Sequence, residues 1–117
     1  GKKITINGNG NQTRSFQYID DLIIGMIKMM NTNDNFIGPV NIGNPNEISI
    51  NKLASIILKL TNSKSKITFN DLPEDDPIRR NPQIELAKNE LNWTPVCDLE
   101  SGLSNTIKYF KKLNEID

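Results

Sequence analysis

The chain carries three arginines, Arg14, Arg79 and Arg80, and lysine supplies the rest of its positive charge. A guanidinium presents a planar fork of donors that grips two phosphate oxygens at once. Arg14 follows the turn-prone Gly8-Asn9-Gly10, whose backbone amides could also face an anion. Arg79-Arg80 stands in a connector flanked by Pro77 and Pro82, stiff enough to place a side chain. Two arginines from distant segments could therefore converge on one diphosphate. The alternative is that each pairs with a surface carboxylate such as Asp75 or Asp76, and residue types alone leave both open. Other chemistries are excluded. With no histidine and the single Cys97, neither a Ser-His-Asp nor a Cys-His nucleophile system can be built. The same shortage speaks against a zinc site and a disulfide framework. Gly8-Asn9-Gly10 lacks the third glycine of a dinucleotide fingerprint and the Lys-Ser/Thr of a P-loop.

These residues need a scaffold. The 117 residues suffice for one small domain. Fourteen Lys and Arg balance fourteen Asp and Glu, which argues against a dedicated nucleic-acid binder. No apolar run has the length of a membrane span, so a soluble, reducing compartment is expected. Asparagine is frequent, but apolar periodic segments interrupt it throughout, which fits loop filling and not a prion-like tract. Ile4-Thr5-Ile6 predicts a strand, and Ser15 to Ile19 a second extended stretch. Asp20-Asp21 predicts the cap of a helix in which Leu22, Ile23, Met26, Ile27, Met29 and Met30 recur at helical spacing, with the methionines as core filler. A third strand is expected at Val40-Asn41-Ile42, followed by a turn at Asn44-Pro45-Asn46. Ser49 predicts a cap for a helix through Leu60, and Ile67-Thr68-Phe69 a strand. A polar connector runs from Asp71 to Pro82. Ile84 to Leu91 and Leu99 to Leu113 predict two more helices, with Trp93 as an apolar anchor beside the first. The pattern is mixed α/β, with several short strands and about four helices.

Three stretches, ITINGNGNQTRSFQYIDDLIIGMIKMMN, GPVNIGNPNEISINKLA and DDPIRRNPQIELAKNELNWTP, stand in the order found in the extended short-chain dehydrogenase/reductase family. They resemble most closely its UDP-glucuronate decarboxylases, which make UDP-xylose. Nucleotide-sugar 4,6-dehydratases and 4-epimerases are close relatives. The resemblance covers almost the whole chain and runs along the C-terminal part of the family's sequence. It implies that residues 1–117 form a sugar-nucleotide-binding segment of a Rossmann-like enzyme. The N-terminal portion, with the glycine-rich NAD loop and the Tyr-x-x-x-Lys pair, would be absent. Tyr18 does not replace that pair, because Leu22 and not lysine stands four residues on.

The resemblance also implies roles. Arg14 and Arg80 match arginines that contact the diphosphate, Gln12 matches a residue lining the nucleotide pocket, and Thr5 and Asn7 match the strand end along the uracil. Asn7 stands where decarboxylases usually have an aromatic, and Gln83 where the family often has aspartate. In the parent enzyme NAD would oxidise C4 of UDP-glucuronate, the keto acid would lose carbon dioxide, and NADH would reduce the product. This segment would hold no cofactor, no metal and no catalytic residue. Its partners would be the UDP-sugar, its own Rossmann portion and, through an uncovered edge near Val40, a second copy of itself. The parent would be cytoplasmic, or lumenal in Golgi or endoplasmic reticulum if an upstream anchor exists.

Overall fold

The computed structural model describes residues 1–78 and 81–114. Among them the order is β1 (Ile4–Asn7), β2 (Thr13–Ser15), α1 (Ile19–Met30), β3 (Glu47–Ser49), α2 (Ile50–Thr61), β4 (Ile67–Asn70), α3 (Glu85–Leu91) and α4 (Leu99–Leu113). The strands form two separate pairs. β1 runs parallel to β4, with Ile4 opposite Ile67 and Asn7 opposite Asn70. β2 runs antiparallel to β3, with Arg14 opposite Ile48.

The principal core is small. Ile84, Ala87, Leu91 and Trp93 are buried together, with Met29, Phe36, Val40 and Ile42 packed against them. Trp93 is 2% exposed and donates its indole N–H to the Asp21 carbonyl at 2.9 Å. Asp21 is buried too, and its Oδ2 accepts the Cys97 amide at 3.0 Å. Lys28 adds a third tie from α1, donating to the Asn92 carbonyl at 2.7 Å. The radius of gyration is 17.0 Å, against about 13 Å for a compact domain of this length. The molecule is a slab measuring 52 × 37 × 18 Å.

Several expectations are corrected. Asp20 and Asp21 lie inside the first turn of α1, while Tyr18 is the N-cap and offers no side-chain bond. The face of α1 that packs inward carries Asp21, Gly25 and Met29. Ile19, Ile23, Met26, Ile27 and Met30 lie along another face and are 45% to 79% exposed, so Met26 and Met30 are not core filler. The helical period was right and the buried side was misassigned. Val40-Asn41-Ile42 forms no strand; Val40 and Ile42 pack on the core from an irregular segment. The second strand is Thr13–Ser15 and not the stretch from Ser15 to Ile19, because its partner β3 reaches only Glu47 to Ser49.

Other expectations hold. Ser49 caps α2, its Oγ accepting the Lys52 amide at 3.2 Å. Asparagine does make loops: the Asn9, Asn33 and Asn44 side chains each accept the amide two residues on. Asn62 and Asn92 end α2 and α3 in the left-handed region, with φ of 52° and 50°.

Asp98 caps α4, accepting the Ser101 amide at 3.2 Å. The hydrogen bonds from Ser101 hold its carboxyl below the ordinary value. A carboxylate depressed in the folded state stabilises it above the unfolded pKa of about 4, and this is lost as pH falls through the folded value. Asp98→Asn keeps an acceptor but cannot titrate. Thermal melts between about pH 5 and about pH 3 should show Asp98→Asn losing less stability than the unaltered chain. Equal losses would mean that the cap carries no pH dependence.

Candidate functional site

The site is assembled at the glycine loop. Gly8 and Gly10 both have positive φ, 73° and 79°. This turns the chain from β1 into β2 within five residues, numbers 8 to 12. The start of α2 clamps the loop from outside. The Ile50 amide donates to Gln12 at 3.0 Å and the Asn51 amide to Gly10 at 2.9 Å. The Asn51 side-chain amide donates to the Asn9 carbonyl at 3.0 Å and to Asn11 Oδ1 at 3.2 Å. A Cβ on Gly10 would collide with that same Asn51 side chain.

Part of the loop backbone is therefore occupied. The amides of Gly8 and Thr13 donate to the carbonyls of Asn70 and Ile78, and Asn11 to Asn9 Oδ1. Gln12, expected to line a nucleotide pocket, is 7% exposed and donates to the Asn7 carbonyl at 2.6 Å. It braces the turn. Thr5 and Asn7 are exposed on the outward face of β1, and Thr5 Oγ1 lies 3.5 Å from Thr68 Oγ1.

Arg14 is the residue that the loop delivers to a cavity. It lines a cleft of about 430 Å³ together with Gln17, Asn41, Asn44, Asn81 and Pro82. Nη1 donates to the Thr13 carbonyl at 2.7 Å, and Nη2 pairs with Asp76 of the connector. The bland reading of this arginine is thus realised, and the pair also ties the connector to β2. Asn44 closes one wall by donating to the Phe16 carbonyl at 3.1 Å. Gly43 closes another: a Cβ there would stand 2.7 Å from Pro82 Cγ, so only glycine lets the two segments meet this closely. Arg79 and Arg80 lie outside the described residues. The structure brings Arg14 to the cleft, while Thr5, Asn7 and Gln12 are not among its lining residues.

Two further features bear on chemistry. Burial, then the charges of Asp21, Asp98 and Asp20, push the Cys97 thiol up. It stays protonated at neutral pH and is a poor nucleophile. A nicotinamide dinucleotide does not fit the glycine turn, because the turn feeds strand β2 and not the helix N-terminus that cradles a pyrophosphate.

Comparison with solved structures matches this arrangement to part of longer enzyme chains. The UDP-glucuronic acid 4-epimerase from Bacillus cereus, in complex with UDP-glucuronic acid and NAD, superposes with a TM-score of 0.88 at 33% identity. That match covers 95% of this chain and 36% of the other. The UDP-glucose 4-epimerase from Thermotoga maritima, with UDP-glucose, gives a TM-score of 0.87 at 27% identity, covering 96% and 36%. The chain has the fold of the NAD-dependent epimerases and extended short-chain dehydrogenase/reductases. Residues 1–43 match the model of the NAD dependent epimerase/dehydratase family. In sequence the chain is similar to UDP-glucuronic acid decarboxylase 1 of Xenopus tropicalis, 47% identical over 96% of this chain and 26% of that protein. It is also similar to UDP-glucuronic acid decarboxylase 1 of Arabidopsis thaliana, at 40% over the same shares. The chain spans about a quarter of the length of these curated relatives. Among the described residues no helix is long and apolar enough to cross a membrane.

The clamp on the glycine loop can be broken at one atom. Gly10→Ala forces a left-handed alanine, which costs roughly 1–2 kcal/mol, and its Cβ must also displace Asn51. Urea unfolding should show a loss of at least that size. An unchanged midpoint would mean that the α2 clamp does not hold the loop.

Proposed function

We propose that this chain is the sugar-nucleotide-binding, C-terminal portion of an NAD-dependent UDP-glucuronate decarboxylase, a lyase that makes UDP-xylose. The observation that carries this reading is the similarity to the decarboxylases along nearly the whole chain. Arg14, which lines a cleft together with Gln17, Asn44 and Asn81, is its structural counterpart. In this reading Arg14 grips the substrate diphosphate, with Arg80 as the second cation. Gln12 acts by bracing the turn, and Thr5 and Asn7 face the uracil from β1. The segment orients the sugar, and a Rossmann portion outside this chain supplies the NAD and the acid/base groups. Orientation of this kind holds a bound substrate near its reacting geometry.

The flat shape supports the same reading. The apolar stripe of α1 and the two-stranded parallel pair β1–β4 are what a piece of a larger α/β sheet exposes. The missing portion would cover both; in the isolated chain a second copy would do so. Alone, the segment is inactive and holds UDP weakly, because half the pocket is absent. A second reading, part of a 4-epimerase, is favoured by the Bacillus cereus neighbour. A non-catalytic binding or assembly module is the third.

A chimera separates them. This chain is put in place of the matching quarter of the Xenopus tropicalis decarboxylase, and the products from UDP-glucuronate are identified. UDP-xylose is expected, and Arg14→Ala in the chimera should raise KM about tenfold or more, the scale of a lost charged hydrogen bond. A folded chimera that yields UDP-galacturonate favours the epimerase, and one without turnover favours the binding module. Calorimetry on the isolated chain should find no micromolar affinity for UDP; finding it would overturn the half-pocket reading.

A further inference from the structure

Asn9, Asn33 and Asn44 fold their side chains back on the chain in the same way, but the residues that follow them differ. Asn9 Oδ1 accepts the Asn11 amide at 2.9 Å, Asn33 Oδ1 the Asn35 amide at 3.1 Å, and Asn44 Oδ1 the Asn46 amide at 3.0 Å. Each bond closes a ring through the side chain that mimics a backbone turn. The ring bends the side-chain carbon Cγ back over the amide of the next residue. That residue is Gly10 after Asn9, Asp34 after Asn33 and Pro45 after Asn44. Pro45 has no N–H, and the side chain of Asp34 crowds the approach. Gly10 has neither obstacle, and no hydrogen bond holds its amide among the described residues. A second Asn-Gly pair, Asn7-Gly8, is the converse case. Asn7 is extended in β1, and the Gly8 amide is tied to the Asn70 carbonyl at 2.6 Å.

We propose that Asn9 is a site of spontaneous deamidation, prepared by its turn. The Gly10 nitrogen attacks Asn9 Cγ, and a five-membered cyclic imide forms. The bond from Cγ to the side-chain nitrogen breaks. That nitrogen leaves as ammonia, carrying the proton that the Gly10 amide gives up. Nothing is oxidised or reduced. The Asn11 amide faces the oxygen on which negative charge gathers during the attack, as the donors of an oxyanion hole do. Asn9 is exposed, so water reaches the imide and opens it. Opening at Cγ leaves aspartate. Opening at the main-chain carbonyl leaves isoaspartate, with the backbone rerouted through the side chain and longer by a methylene. The second product matters for the loop. Asn51 holds the Asn9 carbonyl at 3.0 Å and the Gly10 carbonyl at 2.9 Å, and a lengthened backbone cannot keep both. The turn that leads into β2 and Arg14 therefore has a chemical lifetime. This chemistry is independent of what the Arg14 cleft binds.

The test is mass spectrometry of the chain aged in mildly alkaline buffer, with fragmentation that separates aspartate from isoaspartate. In the folded chain Asn9 should convert about tenfold faster or more than Asn7, Asn33 and Asn44, within the reach of a well-placed nucleophile and an oxyanion donor. The same chain aged in guanidinium chloride, where turn and strand are gone, should convert Asn7 and Asn9 at equal rates. Asn9→Ser keeps an oxygen for the turn and has no amide to lose, so it should abolish the fast conversion and leave Asn7 as slow as before. The isoaspartate form, isolated by chromatography, should unfold at lower urea than the unaged chain. Equal conversion of Asn7 and Asn9 in the folded chain, or an Asn9 that stays intact, overturns the site. So does a preference for Asn9 that persists in denaturant, because the turn would then play no part in it. An unchanged urea midpoint of the isoaspartate form overturns the link to the Asn51 clamp.

Discussion

Trp93 is the fixed point of the structure. Its ring is the largest side chain withdrawn from water, and its N–H is satisfied by Asp21 at the start of α1. A buried indole must find an acceptor, and it takes a carbonyl in the first turn of α1. This contact therefore sets how α1 lies against the end of α3. It also determines which face of α1 remains outside. With Asp21, Gly25 and Met29 turned inward, the isoleucine and methionine stripe has nowhere to go but solvent. Burying one such side chain stabilises by about 1.5–3 kcal/mol, so five left exposed forgo a substantial sum. A slab 18 Å thick has no second layer to supply it.

The cleft depends on this core at one remove. Val40 and Ile42 pack on it, and that packing places Asn41, Gly43 and Asn44 opposite Arg14. Arg14 itself is held by the β2–β3 pair and by Asp76. The Arg14–Asp76 pair is partly exposed, at 18% and 29%, and such pairs contribute about 0–1 kcal/mol. A bidentate phosphate contact is stronger, being charge-assisted on both forks. Under the proposed function, Asp76 is a weak partner that a phosphate on Arg14 would displace.

Much of this was legible in the sequence, for identifiable reasons. β1, β4 and the four helices carry long enough patterns to be located, and the Ser49 and Trp93 assignments followed from capping and anchoring rules. What was not legible depends on partners distant in sequence. The extent of β2 is set by a three-residue β3 whose own signal is too short to see. The buried side of α1 is set by Trp93, seventy-odd positions away, and periodicity fixes a face without saying which way it turns. Val40 and Ile42 looked like a strand because β-branched residues suit strands, but here they serve the core from irregular backbone. In the cleft, Arg14 stood out because arginine is scarce. Gln17 and Asn81 carry no sequence signal at all, since amides are common in this chain and only the folded geometry shows these two unpaired.

A domain of this length has a net stability of about 6–18 kcal/mol at typical values per residue. Leaving two buried polar atoms unsatisfied costs about 1–3 kcal/mol each. In a slab with so small a core, that is a considerable fraction of the whole. Leucine or methionine at Gln17 would remove the penalty and add apolar contact. The residue lies outside the strand pairing, and its Nε2 holds no other described segment in place. An unpaired donor and an unpaired acceptor beside the cleft are a local packing cost.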